Sequence, residues 1–266
     1  MSRARWRPSP FLLASGAWHL GAASWCALQP AAWPLALAGL VANHAAITAA
    51  GLLPRCGLLG PTLTRLPAPA AEAGQIAITI DDGPDPEVTP QVLAILAEYG
   101  AVASFFCIGQ RVAAAPDLAR AIVAAGHAIE NHGQCHHTFN SLNGPAAWRR
   151  EILDAQASIE AATGQRPRFY RPTAGLRNPF LDPVLHALDL RLASWTRRGF
   201  DTRSTDPGQV FQALSRELAG GDILLLHDGH AARTASGRPI ILDVLPRLLD
   251  TMAASGLSAT TLRSIP

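Results

Sequence analysis

The chain has 266 residues, 48% of them hydrophobic and 16% charged, with a formal net charge of +2. That length allows one sizeable core plus a separate segment, and the charge balance gives no basis for nucleic-acid binding. Every basic side chain is arginine, and the four cysteines (Cys26, Cys56, Cys107, Cys135) show no C-x-x-C spacing, which excludes a recognisable cysteine zinc site or disulfide framework.

The first sixty residues are apolar. Residues 11–28 and 31–53 contain no Asp, Glu or Arg, and at about 1.5 Å per residue they reach roughly 27 and 34 Å, against a hydrocarbon core near 30 Å. Only Gln29-Pro30 separates them, so two crossings make a tight helical hairpin, and residues 1–60 read as a membrane-anchoring unit. Trp25 and Trp33 flank the turn and Trp6 sits at the far end, as in interfacial aromatic belts. His19, Asn43 and His44 are the polar exceptions. A removable secretory signal competes for the first segment, because Arg3, Arg5 and Arg7 precede it; the longer second segment argues against simple secretion. With Arg55 and Arg65 after the second segment and no charge in the turn, two crossings place both ends in the cytoplasm at a bacterial-type inner membrane. A single crossing turns the rest of the chain outward.

Residues 61–74, with Leu66-Pro67-Ala68-Pro69-Ala70-Ala71, read as a linker to a domain spanning 75–266. Strands are expected at 75–80, 103–107, 127–130, 168–170, 191–195, 223–227 and 258–261. Helices are expected at 89–99, 116–125, 146–163, 181–188, 207–219 and 239–254. Pro90, Pro116 and Pro207 fall in first turns, and Gly100, Gly126, Gly164 and Gly256 stop helices. The alternation predicts an α/β domain with a parallel sheet or barrel.

Asp81-Asp82 ends the first strand and Gly83-Pro84 turns the chain, so two carboxylates sit where α/β folds place chemistry. Alternation along a strand predicts that they point to opposite sides, one to a cation and one to a reacting water. His132 and His136, at i and i+4, share a face if the segment makes a helical turn. Two imidazoles and one carboxylate leave a coordination position open, as a catalytic metal site requires. Arg171-Pro172-Thr173-Ala174-Gly175 and the buried run ending Leu225-Leu226-His227-Asp228 follow.

This ordered set resembles the NodB-type polysaccharide deacetylases of carbohydrate esterase family four. Thr79-Ile80-Asp81-Asp82-Gly83-Pro84 matches the first motif, His132 and His136 the second, Arg171 to Gly175 part of the third, and Leu225 with His227 the fifth. The resemblance covers about residues 75–260 and implies a distorted (β/α)7-type barrel. It implies that Asp82, His132 and His136 bind a divalent metal, usually Zn²⁺, that Asp81 is the general base, His227 the general acid and Arg171 the group that orients Asp81. The Ala174 N–H would share the oxyanion and Leu225 would line the acyl pocket. The family's Pro-Tyr is Thr173-Ala174 here, and the fourth motif has only a loose counterpart around Trp195 to Thr202. Asp201 there is expected to fix His227 or pair with Arg171, with a plain turn residue as the competing reading. His137, His230 and Asp228 read as loop residues, and Cys135 as a non-ligand.

The implied reaction is hydrolysis of the N-acetyl amide of an amino sugar, in a polysaccharide or on a lipid carrier. Deformylation of a lipid-linked amino sugar and non-catalytic carbohydrate binding at the membrane are the alternatives. The expected partners are the N-acylated sugar and the membrane, with no obligate protein partner.

Overall fold

The computed structural model describes residues 5–265; Arg3 lies outside them. At the N-terminus α1 (Pro10–Leu28) and α2 (Trp33–Leu52) form an antiparallel hairpin joined by a 3-10 turn, Pro30–Ala32. The Ser9 side chain caps α1 by accepting from the Leu12 N–H, with Pro at the first helical position where its missing donor costs nothing. The polar exceptions meet inside the hairpin: Asn43 Nδ2 donates to Ser15 Oγ at 2.8 Å, and His19 and His44 approach at 3.2 Å. Such pairs join helices where lipid offers no partner. Leu20, Leu28, Leu35 and Val41 point outward and are exposed.

After α3 (Ala68–Glu72) the chain alternates as β1 (Gln75–Asp81), α4 (Thr89–Glu98), β2 (Ser104–Cys107), α5 (Gly109–Ala114), α6 (Pro116–Ala124), β3 (Ala128–Asn131), α7 (Pro145–Thr163), β4 (Phe169–Tyr170), α8 (Leu181–Leu188), β5 (Arg191–Leu192), β6 (Arg197–Arg198), α9 (Pro207–Ser215), β7 (Ile223–His227), α10 (Ile241–Ala254) and β8 (Ser258–Thr260). The strands pair in the order β5-β4-β3-β2-β1-β7-β6, with β8 added to β1, and every pairing is parallel. This is an open, curved parallel barrel with helices outside it, the architecture implied by the motifs.

Strand β1 sets the division of the core. Ile76, Ile78 and Ile80 are fully buried against the outer helices, in the cluster that holds Val92, Leu96, Ile122, Leu245 and Leu248. Ala77 belongs to the barrel interior with Phe106, Phe169, Trp195 and Leu225. Thr79 and Asp81 share the inward parity and end the strand at the rim.

Three expectations are corrected. Residues 61–74 are not a free linker: the Leu63 N–H donates to the Leu192 carbonyl and its own carbonyl accepts from Ser194, Leu66 N–H donates to Gly221, and Arg65 pairs with Asp222 at 2.9 Å. The segment bridges the β5 edge to the turn before β7, and α3 occupies its Pro-Ala stretch. The strand expected at 191–195 stops at Leu192, and a separate β6 pairs with β7. Helix α5 has no place among the expected elements; it follows β2 directly and packs on α7.

Ile78→Ala removes a fully buried side chain between sheet and helices. We expect a loss of about 2–5 kcal/mol of stability, read as a lowered thermal unfolding midpoint in detergent micelles.

Candidate active site and metal centre

The β1 C-terminus and the loops after β3, β4 and β7 converge at one rim. Asp82 does not simply alternate with Asp81. It leaves the strand with φ of 73°, and its carboxylate folds back over the rim so that His132 Nε2 lies 3.1 Å from Asp82 Oδ1 and 3.8 Å from Asp81 Oδ2. The two carboxylates therefore face one imidazole rather than opposite sides. His136 Nε2 also lies 3.1 Å from Asp82 Oδ1. No helical turn aligns the histidines; left-handed backbone at Gly133 (φ 84°) and His136 (φ 54°) does so, and the rings stand 4.8 Å apart.

The donor set fits a cation. His132 Nδ1 meets the Arg171 carbonyl at 2.7 Å, an acceptor only, so the proton of the neutral ring is on Nδ1 and Nε2 presents a lone pair. Asp82 Oδ1, buried and facing both Nε2 atoms, has no hydrogen-bond donor. Acceptors that converge without a donor are uncompensated unless a cation lies among them. Among the described residues Asp82, His132 and His136 form the cluster able to ligate a metal, with ligand atoms within 4.8 Å of one another.

Asp81 is held from below. Arg171, fully buried, donates Nη1 to Asp81 Oδ1 at 2.5 Å and to Thr79 Oγ1 at 2.9 Å, Nη2 to the Ser194 carbonyl and Nε to the Ala193 carbonyl. Its guanidinium lies 4.0 Å over the Phe106 ring. Burial pulls the Arg171 pKa down, and the Asp81 charge opposes that pull.

Across the rim, Asp201 grips His227 twice, accepting the backbone N–H at 2.7 Å and Nδ1 at 2.8 Å. Asp201 thus sits with His227, and Arg171 takes Asp81 instead. Burial disfavours charge on His227, but the Asp201 carboxylate outweighs it and holds the pKa up at about 9. Burial and the neighbouring His132 push His136 down to about 4. Asp82 stays well below the ordinary carboxylate range: burial would raise it, and the His132 and His230 imidazoles prevail.

Asp81, Asp82, His132, His136, Leu225 and His227 line one cavity of about 220 Å³, with Ala174, Trp195 and Arg198 at its wall. Leu225 is buried at its floor. Ala174 adopts φ of 54°, and the hydrogen bonds closing its turn are donated by Gly175 and Leu176, which leaves the Ala174 N–H out of both.

Several contributors had no sequence signal. His230, expected as a loop residue, places Nδ1 2.9 Å from Asp82 Oδ2 and stacks on His136. Asp228 is buried behind Asp82, accepts from the Thr89 hydroxyl, and is pushed by burial up to about 7. Glu151 of α7 accepts the N–H groups of Cys135 (2.8 Å) and His136 (3.2 Å), so it shapes the turn that delivers His136. Its only trace in sequence was a place on a helix face. His137 is exposed, and Cys135 is not in the converging cluster.

The sequence profile of the polysaccharide deacetylase family matches residues 69–193. The chain is 33% identical over 175 residues to a peptidoglycan-N-acetylglucosamine deacetylase of Bacillus cereus, covering 65% of this chain and 81% of that protein. It is 32% identical over 219 residues to a chitooligosaccharide deacetylase of Sinorhizobium fredii, covering 77% and 96%. A family 4 carbohydrate esterase from Streptomyces lividans, solved in complex with acetate, superposes with a TM-score of 0.63 at 32% identity, over 70% of this chain and 91% of that one.

Glu151→Ala frees the His136 turn without touching a ligand atom. We expect divalent-metal affinity to fall by about 10–100-fold, measured by competition with a chromogenic chelator. Asp201→Asn tests the His227 environment. A histidine with a pKa near 9 is protonated below that pH and lost as an acid above it. Removing the Asp201 charge moves the alkaline limb of the kcat/KM profile to lower pH, and an unmoved limb would refute the pairing.

Proposed function

The chain belongs to the polysaccharide deacetylase family, carbohydrate esterase family 4, and on that premise we propose that it hydrolyses the N-acetyl amide of an amino sugar. The observation that carries this reading is the rim at which a donor-poor Asp82-His132-His136 cluster stands beside two separately fixed groups, Asp81 on Arg171 and His227 on Asp201. A divalent metal such as Zn²⁺, held by Asp82, His132 and His136, would supply an activated water and polarise the amide carbonyl.

The chain's own residues do the rest. Arg171 occupies Asp81 Oδ1 and leaves Oδ2, on the cavity side, to take the proton from the attacking water. The Ala174 N–H donates to the oxyanion as the carbonyl becomes tetrahedral. Because the His227 Nδ1–H is held in a hydrogen bond to Asp201, Nε2 is the atom left to face the leaving amine, and with its raised pKa it carries the proton that amine needs. Leu225 packs against the acyl methyl, and Thr173-Ala174, small where the family has Pro-Tyr, leaves that side of the groove open.

A lipid-carrier-linked amino sugar is favoured over a distant polymer by the position of the hairpin. The Arg55 Nη1 donates to the Thr196 carbonyl at 3.0 Å, and a Cβ on Gly175 would meet Pro54 at 2.6 Å and Trp195 at 2.7 Å. The chain leaving α2, at Pro54 and Arg55, is therefore packed on the wall of the cavity. With α1 and α2 as bilayer crossings and Arg5, Arg7, Arg55 and Arg65 all on one side, we place the domain at the cytoplasmic face of the membrane.

Purified protein is to be incubated with N-acetylated chitooligosaccharide and with lipid-linked N-acetylglucosamine, with and without chelator. Acetate release that is lost with chelator is the expected result. Asp81→Asn should lower kcat by about 10²–10⁴-fold with metal content retained. Asp82→Ala should lose both metal and turnover. Acetate release undiminished in both variants would end the reading.

A further inference from the structure

The C-terminal domain exposes few large apolar side chains, and three of them are tied together beside the foot of the hairpin. Phe139 and Leu142 are 74% and 79% exposed on the loop after the metal-site histidines, and Phe180 is 49% exposed just before α8. These two loops are one rigid unit. Asn178 Nδ2 donates to the Ser141 and Asn143 carbonyls at 2.9 and 2.8 Å, and Asn178 Oδ1 accepts from the Phe180 N–H and from Trp148 Nε1. Internal turns from His137 to Asn140 and from Phe139 to Leu142 hold the first loop's backbone.

The same unit is locked to the membrane hairpin. Arg177, next to Asn178, donates its backbone N–H to the Gly51 carbonyl in the last turn of α2, and its guanidinium to the Cys56 and Gly60 carbonyls. A Cβ on Gly51 would lie 2.2 Å from the Arg177 carbonyl, so the two backbones are in direct contact. On the hairpin side Leu52, Leu53 and Leu58 are exposed as well. Arg149 and Arg150, exposed on α7 shortly after Leu142, make no ion pair among the described residues.

We propose that Phe139, Leu142 and Phe180 dip into the interfacial zone of the bilayer crossed by the hairpin, so that the rim carrying His136 and Ala174 is held against the membrane surface. The occupant is the bilayer because the loops that carry the patch are fixed, through Asn178 and Arg177, to the last turn of α2, whose exposed apolar length fits a bilayer crossing. A fixed backbone presenting aromatic and aliphatic side chains beside arginines matches an interface of acyl chains below anionic headgroups. The consequence is a substrate class: an amino sugar held on a membrane lipid reaches the rim, and a sugar deep in a detached polymer does not. That consequence rests on the deacetylase reading; the membrane contact does not.

Two arms test it on the full chain in nanodiscs of anionic lipid. Trifluoromethyl-phenylalanine placed singly at 139, 180 or 99 reports contact by fluorine NMR, with a nitroxide near the lipid headgroup as the broadening agent. Tyr99, exposed on another face and bonded to Asp250, is the control. Broadening at 139 and 180 with a sharp line at 99 is expected; sharp lines at all three overturn the proposal and point instead to a protein partner. In the second arm, Phe139→Ser/Leu142→Ser/Phe180→Ser should cut deacetylation of lipid-linked N-acetylglucosamine about tenfold and leave soluble chitooligosaccharide within about twofold. Equal losses on both substrates overturn it. A wild-type chain inactive on both would fail the enzymatic reading and leave the NMR arm to decide the contact.

Discussion

One buried arginine organises the rim. Arg171 closes the barrel interior with two carbonyls, holds Asp81 through Nη1, and through its own carbonyl sets the tautomer of His132. Placing a guanidinium there without a partner would cost several kcal/mol, so the interaction that makes Arg171 tolerable is also the one that directs Asp81. A substitution at this residue reaches Asp81, His132 and the core together. Lys would keep the charge and lose the planar fork that serves four acceptors at once.

The remaining charges are arranged so that neighbours hold opposite protonation states. Near neutral pH, His227 on Asp201 is protonated, whereas His136, desolvated and beside another imidazole, is neutral. An acid needs the first state and a ligand the second. The difference arises from partner chemistry, since both are histidines at one rim. A carboxylate on Nδ1 makes His227 an imidazolium; desolvation beside a second imidazole keeps His136 a lone-pair donor.

Much of this was legible from the chain because its signals are local. Alternating Ile76, Ile78 and Ile80 placed β1, and Asp-Asp-Gly-Pro at its end placed the rim. The two histidines and the arginine followed in the order that the deacetylase family uses. What escaped was set by backbone conformations with no periodic trace and by contacts distant in sequence. Asp82 and His136 are non-glycine residues at positive φ, so strand alternation and helical spacing gave the wrong directions for them even where the residues themselves converge. His230 reaches Asp82 across 148 residues, and Glu151 shapes the His136 turn from an ordinary helix face. The stop of β5 at Leu192 and the separate β6 beyond it left no signal, because strands of two residues are too short for a pattern.

The segment expected to be a linker bears on how the two parts of the chain work together. A flexible tether would let the domain sample many orientations, and the site's access to a membrane-held sugar would then be a matter of effective concentration. Residues 51–66 instead form a continuous chain of fixed contacts: Gly51 on Arg177, Pro54 against Gly175, Arg55 on Thr196, Leu63 on Leu192 and Ser194, and Arg65 on Asp222. Each of these lands on a loop or strand end that also builds the cavity wall or lies within a few residues of it. The hairpin therefore fixes the orientation of the rim, and that orientation is coupled to the turn that presents the Ala174 N–H. On the proposed reading of the hairpin as a membrane anchor, it would select among substrates by geometry, before any side chain in the cavity makes contact with a sugar.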